Sequence, residues 1–184
     1  MSTRSHLAAL ALALAVSAVA SITPAATAVP AWTPGPCGGN DGVTVAVDLT
    51  GAGRPGVVVR CAHGHHGDAR TALERAGFPV HAGHQVGAYQ DPHYVCRIDG
   101  LPTTGADPCA GHADGRPYWK VWRVGVDPLA WRGAMTDGGP SQVRTCGGAL
   151  VGFSFGVGTP QDPNEMTVAP DQIMTEPGWL PPAC

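Results

Sequence analysis

The sequence predicts an α+β fold: a disulfide-stapled mixed sheet carrying one short helix and ending in an extended, Pro-rich C-terminal tail. Three observations predict it. Apolar and polar residues alternate with period 2 in short windows, most clearly over 43–49 and 118–124, as half-buried strands require. One window, Asp68 to Gly77, has helical spacing together with start and stop signals. Six cysteines follow an export signal, a combination that implies three bridges.

Residues 1–28 are read as a secretory signal peptide. Arg4 and His6 make a polar n-region, Leu7 to Ala20 is an Ala/Leu/Val-rich run, and Ala26-Thr27-Ala28 closes a small-residue c-region. Ala18-Val19-Ala20 is a competing cleavage site. The run is shorter than the roughly 20 apolar residues a spanning helix takes, and no second run occurs. The expected protein is therefore secreted, in the extracellular space or the cell envelope, with no membrane span after signal removal. Cleavage after Ala28 leaves about 156 residues (184 less 28), one domain by length, expected as a monomer.

The 26 glycines and 18 prolines, about a quarter of the chain, favour short strands and turns over long helices. Net charge is −3, or −4 once Arg4 is removed. Lys and Arg are few and scattered, so no basic stripe exists to follow a phosphate backbone and nucleic acid is excluded as a partner.

Residues 29–41 read as a Pro/Gly-rich leader tied down by Cys37. Gly42 to Thr50 alternates as a strand, Gly51 to Gly56 turns, and Val57 to Cys61 returns. Cys37 and Cys61 flank the open end of this hairpin, so a bridge between them would staple it. Asp68 is placed to cap a helix whose apolar face is Ala69, Ala72, Leu73 and Ala76, with Gly77 at the left-handed position after its end. Leu73 and Phe78 are its expected anchors. Residues 78–81 make a brief strand, and 82–93 a Gly/His/Gln loop.

Tyr94, Cys96 and Ile98 face one way; Val95, Arg97 and Asp99 face the other. Asp99-Gly100 suits a tight turn needing φ > 0 at both positions. Cys96 and Cys109 enclose a loop no core would otherwise hold, and bridging them contributes about 3 kcal/mol by loop entropy. Tyr118 to Val124 has apolar residues on both faces, the sign of a strand covered on both sides. Leu129 to Trp131 reads as a short edge strand, Gly138 to Pro140 as a turn, and Gly148 to Gly156 as the last strand. By elimination Cys146 pairs with Cys184, which holds the tail from 157 onward.

A hairpin, one helix ending in Ala-Gly, then further strands is the plan of a β-grasp, here over 42–156. The residues also carry a resemblance. TALERAGF (71–78), YVCRIDGLP (94–102), Cys109, YWKVWR (118–123), Trp131, Gly133-Ala134 and GFSF (152–155) resemble a group of actinobacterial secreted proteins of unknown function. That group is similar to the C-terminal domain of transcobalamin. The resemblance implies a β-grasp fold and capture of a corrinoid or similar ligand; it carries over no catalytic residue. Where the wider pattern has an Asn-Gly turn, this chain has Arg123-Val124-Gly125, so a loop that touches ligand in some relatives is altered.

The candidate ligand residues are Tyr118, Trp119, Trp122 and Trp131, whose rings can stack on a flat ligand, with Arg97 to orient it or to pair with Asp99. His63, His65, His66, His81 and His84 (with His93 nearby) flank the helix, and imidazole suits zinc or copper. The competing reading is a solvated polar loop, since no H-E-x-x-H pattern occurs. Gly152-Phe-Ser154-Phe-Gly156 spells the nucleophile-elbow motif, yet neither a helix signal nor a later histidine follows it.

The sequence-level reading is therefore a non-catalytic secreted domain without a cofactor, binding a small ligand or an envelope or extracellular protein. A secreted protease inhibitor presenting 101–108 is the alternative; an exported hydrolase is disfavoured.

Overall fold

The computed structural model describes residues 30–64, 66–83, 85–86, 89–90, 94–105, 109, 116–134, 139–157 and 165–184. The expected signal peptide, His65, His84, His93 and residues 106–108 of the expected 101–108 loop lie outside the described residues.

Among the described residues, ten strands form in chain order: β1 (Trp32–Pro34), β2 (Gly42–Asp48), β3 (Val57–His63), β4 (Val80–Ala82), β5 (Gln85–Val86), β6 (Tyr89–Gln90), β7 (Val95–Ile98), β8 (Tyr118–Val126), β9 (Leu129–Gly133) and β10 (Leu150–Gly156). The helices are α1 (Ala69–Arg75) and α2 (Pro170–Ile173). The main sheet has the order β1-β3-β2-β10-β8-β9. β2 and β10 run parallel at its centre, and the other neighbours pair antiparallel. β4 pairs with β7, and β5 with β6, as separate small ribbons.

The β2–β3 hairpin forms as alternation predicts, and β2 is buried throughout. Its two faces meet different cores. Val43, Val45 and Val47 join Leu73, Phe78, Val95, Ile98, Trp119, Val121 and Phe153 under α1 and the β4–β7 ribbon. Ala46 faces the opposite side, with Trp122, Leu150, Met166, Ile173 and Met174.

Local signals placed α1. The Asp68 carboxylate accepts from the Thr71 amide at 2.8 Å, satisfying one of the donors a helix start leaves open. Gly77 follows the helix with φ +72°, and Leu73 and Phe78 are buried. Asp99 and Gly100 have φ of 55° and 76°, as the tight turn requires. Three cysteine pairs form, Cys37–Cys61, Cys96–Cys109 and Cys146–Cys184, the pairing read from spacing and elimination.

Four expectations are corrected. The leader is not merely extended: Trp32–Pro34 forms an edge strand on β3, held by the Trp32 ring over Arg60. The fold has a second helix, α2, opened by Pro170 and closed back by Gln172 Oε1 accepting from the Ala169 amide. The C-terminal tail is no appendage, because Met166, Ile173 and Met174 are buried against the sheet. Finally, Asp99 forms its ion pair with Arg54 rather than with Arg97, since the turn carries its carboxylate toward the β2–β3 loop. No helix among the described residues is long and apolar enough to cross a membrane.

Candidate functional site

The sheet buries two of the four aromatic candidates, Trp119 and Trp122, and leaves Tyr118 and Trp131 half-buried. Trp119 lies at 5% exposure on the α1 side, its ring centroid 5.3 Å from that of Phe155. Trp122 lies at 6% on the opposite side and donates Nε1–H to Ser154 Oγ at 2.7 Å. Lys120 Nζ covers its ring at 4.1 Å from the centroid. Trp131 is half-buried and donates to the Val168 carbonyl at 2.6 Å, so the C-terminal segment is its partner. Tyr118 is half-buried at the start of β8, and Arg97 is half-buried on β7 opposite His81. The alternation put Trp119 and Trp122 on opposite faces; the C-terminal segment covers the face that would otherwise have been open.

The same bond explains the G-x-S-x-G serine. Ser154 is 3% exposed in the middle of β10, in register with Lys120 and Asp48. A nucleophile elbow needs the serine at a strand-to-helix turn.

The histidines are drawn into local structure. His63, at the end of β3, shares a hydrogen bond with Thr33 Oγ1 at 3.2 Å. His66 is buried, its Nε2 within 3.0 Å of the Ala62 carbonyl, and its own carbonyl accepts from Thr145 Oγ1. His81 is exposed on β4. Among the described residues, no three His, Cys, Asp or Glu side chains converge as a metal site.

One buried carboxylate has an unusual environment. Burial pushes the Asp48 carboxyl up, but hydrogen bonds from Thr167 and Thr50 outweigh it and hold its pKa below the ordinary 3.8. Oδ2 accepts from the Thr167 amide at 2.6 Å and Oδ1 from the Thr50 amide at 3.0 Å. Its bonds join the sheet to the C-terminal segment, which makes it structural.

What the fold does open is a cleft of about 290 Å³ at the end of the sheet where β10 begins. Arg123 and Gly125 come from β8, Arg132 from β9, and Arg144 from the strap before Cys146. Ala149 and Leu150 form the floor where β10 begins, and Pro181 to Cys184 form the far wall. Two contacts hold that wall: the Cys146–Cys184 bridge and Trp179 Nε1–H donating to the Gly148 carbonyl at 3.2 Å.

Arg123 and Arg132 are direct cross-strand partners, so their side chains leave the same face. A Cβ at Gly125 would sit 3.0 Å from both Cγ and Nε of Arg132; the missing side chain is the space Arg132 occupies. Among the described residues, no Asp or Glu side chain lines the cleft. Its arginines are scattered in sequence: strand register joins Arg123 to Arg132, and a backbone bridge to Asp68 places Arg144. The one local hint was Arg123-Val124-Gly125, where the sequence departs from the pattern it otherwise resembles.

None of the family models, curated proteins or solved structures compared with this chain matches it.

Proposed function

We propose that this chain is an exported, non-catalytic binding domain built on a β-grasp plan, and that it captures a small ligand in the arginine-lined cleft. The β-grasp reading rests on the parallel β2–β10 pair at the centre of the sheet, flanked by the β2–β3 hairpin on one side and β8 on the other. Helix α1 packs beneath the sheet. The resemblance of 71–78, 94–102 and 118–123 to secreted, transcobalamin-like proteins points the same way. Export is supported by the signal-like N-terminus and by three disulfides, which persist in oxidising compartments.

The observation that carries the binding reading is the cleft itself. It is an open recess assembled from five chain segments and walled by a disulfide, whereas Trp119 and Trp122, two of the aromatics expected to hold ligand, are spent on the two cores. At about 290 Å³ it matches the lower end of ligand pockets, roughly 300 Å³. That suits a small molecule or a projecting group better than a whole corrinoid ring.

Nuclear magnetic resonance screening of the disulfide-bonded protein against a mixed small-molecule set, corrinoids included, tests the reading. Amide shifts at Gly125, Ala149 and Leu150 are the expected result. Shifts confined to other regions would move the site elsewhere.

A further inference from the structure

We infer that the cleft selects a small, multiply charged anion, a phosphate-, sulfate- or polycarboxylate-bearing compound, gripped by Arg123 and Arg132 and closed by Arg144. The inference rests on the cleft being the binding site and specifies what it takes.

Charge distribution is the first ground. The chain carries 11 Lys and Arg against 14 Asp and Glu, yet three arginines line one small cleft with no Asp or Glu side chain among its described lining residues; the terminal carboxylate of Cys184 belongs to the same wall and forms no ion pair with them. Among the described residues, the side chains of Arg123 and Arg144 have neither a hydrogen bond nor an ion pair. Arg132 makes a single long bond to the Asp127 carbonyl at 3.5 Å. Elsewhere Arg54 pairs with Asp99, Arg70 with Glu74, and Arg60 caps a helix.

Register is the second ground. Like charges directly opposite on neighbouring antiparallel strands repel, and Arg123 and Arg132 occupy that relationship. A bound anion turns the repulsion into a pair of charge-assisted contacts. Guanidinium is suited to this, because its planar fork meets oxyanions and carboxylates with two parallel hydrogen bonds.

Shape is the third. Gly125 leaves room for the Arg132 stem to lie along β8. Ala149, Leu150, Pro181 and Pro182 supply apolar walls, which screen the charges less than water does.

The test is calorimetric titration of the disulfide-bonded protein in low-chloride buffer with inorganic phosphate, sulfate, citrate and glucose 6-phosphate. Glucose and a corrinoid serve as probes without a comparable cluster of negative charge. Free anions and the sugar phosphate distinguish a site for the ion from one for an anionic group on a larger molecule.

At least one anion should bind, with shifts at Gly125 and Leu150. Arg123→Gln and Arg132→Gln should each weaken it by about tenfold or more. Gly125→Ala, which removes no charge, should weaken it too by displacing Arg132, and Arg132→Lys keeps the charge but loses the fork. Arg75→Gln, on the exposed end of α1, should change nothing; circular dichroism confirms the fold of each variant.

Equal anion affinity in Arg123→Gln, Arg132→Gln and the parent would overturn the inference. So would cleft shifts from glucose or the corrinoid and none from the anions, an outcome that leaves the binding reading standing. Silence at the cleft from every probe would remove both.

Discussion

Arg60 donates through Nη1 to the Gly77 carbonyl at 2.7 Å, so a side chain of β3 holds the end of α1. It also reaches the Ala76 carbonyl at 3.1 Å. Its guanidinium lies 4.4 Å from the Trp32 ring centroid and 4.1 Å from that of Phe78. One cation thereby ties the N-terminal edge strand, the hairpin and the helix terminus together, where the macrodipole favours positive charge.

Arg60→Ala should therefore cost about 2–3 kcal/mol, from charged hydrogen bonds and cation–π contact that overlap and do not fully add. Urea unfolding should show a lower midpoint with an unchanged slope. Arg60→Lys should recover part of the loss, since an ammonium lacks the planar fork. A loss within about 0.5 kcal/mol, typical of ordinary surface changes, would show that the sandwich is incidental.

Asp48 sets an acid limit on stability. Its folded pKa is held below 3.8 by the Thr167 and Thr50 bonds despite burial, so the unfolded chain takes up a proton more readily than the folded one. Its stabilisation is therefore present above the unfolded value and is lost as pH falls through the lower folded value. Unfolding titrations from pH 6 to pH 2 should show this loss at the acidic end. Asp48→Asn should be less stable at pH 6 and should flatten that part of the profile. If parent and variant kept the same separation at every pH, the carboxylate would not be the titrating group.

Ser154 gives a sharper test of the motif it sits in. Its Oγ accepts the hydrogen bond of the buried Trp122 indole. Ser154→Ala leaves that donor unsatisfied and should destabilise by about 1–3 kcal/mol, with a change in tryptophan emission. A serine-directed phosphonate should fail to label the folded protein at this position; stoichiometric labelling would restore the hydrolase reading.

These residues also show which parts of the fold were readable. Asp68, Gly77 and the Asp99-Gly100 turn act within a few positions of themselves, so their chemistry is visible in any short window. Strand alternation told which side each residue faces. It did not tell what covers that side. Trp122 is buried because Met166, Ile173 and Met174 reach back from an irregular segment, and isolated apolar residues among prolines leave no periodic trace. Trp32 escaped notice for the same reason. The cleft was hidden more deeply: Arg123 meets Arg132 through strand register, Arg144 is set by a backbone bridge to Asp68, and the far wall is held by the Cys146–Cys184 bridge.

That last bridge makes the final prediction. Cys146 and Cys184 are 38 residues apart, and closing a loop of that size removes about 4 kcal/mol of unfolded-state entropy in the chain-entropy account. Two consequences follow from removing it with a Cys146→Ser, Cys184→Ser pair. Global stability should fall by up to that amount. The second effect is local: Pro181 to Cys184 should detach as a wall while Met166, Ile173 and Met174 stay docked, because they pack on Ala46, Trp122 and Leu150. Hydrogen exchange should then quicken around Trp179, whose indole bonds the Gly148 carbonyl, and much less at Thr167, which Asp48 holds. Anion affinity should drop in the same variant although all three arginines remain. Unchanged exchange at Trp179 would mean that apolar packing alone seats the segment, and the bridge would then act only on the unfolded chain.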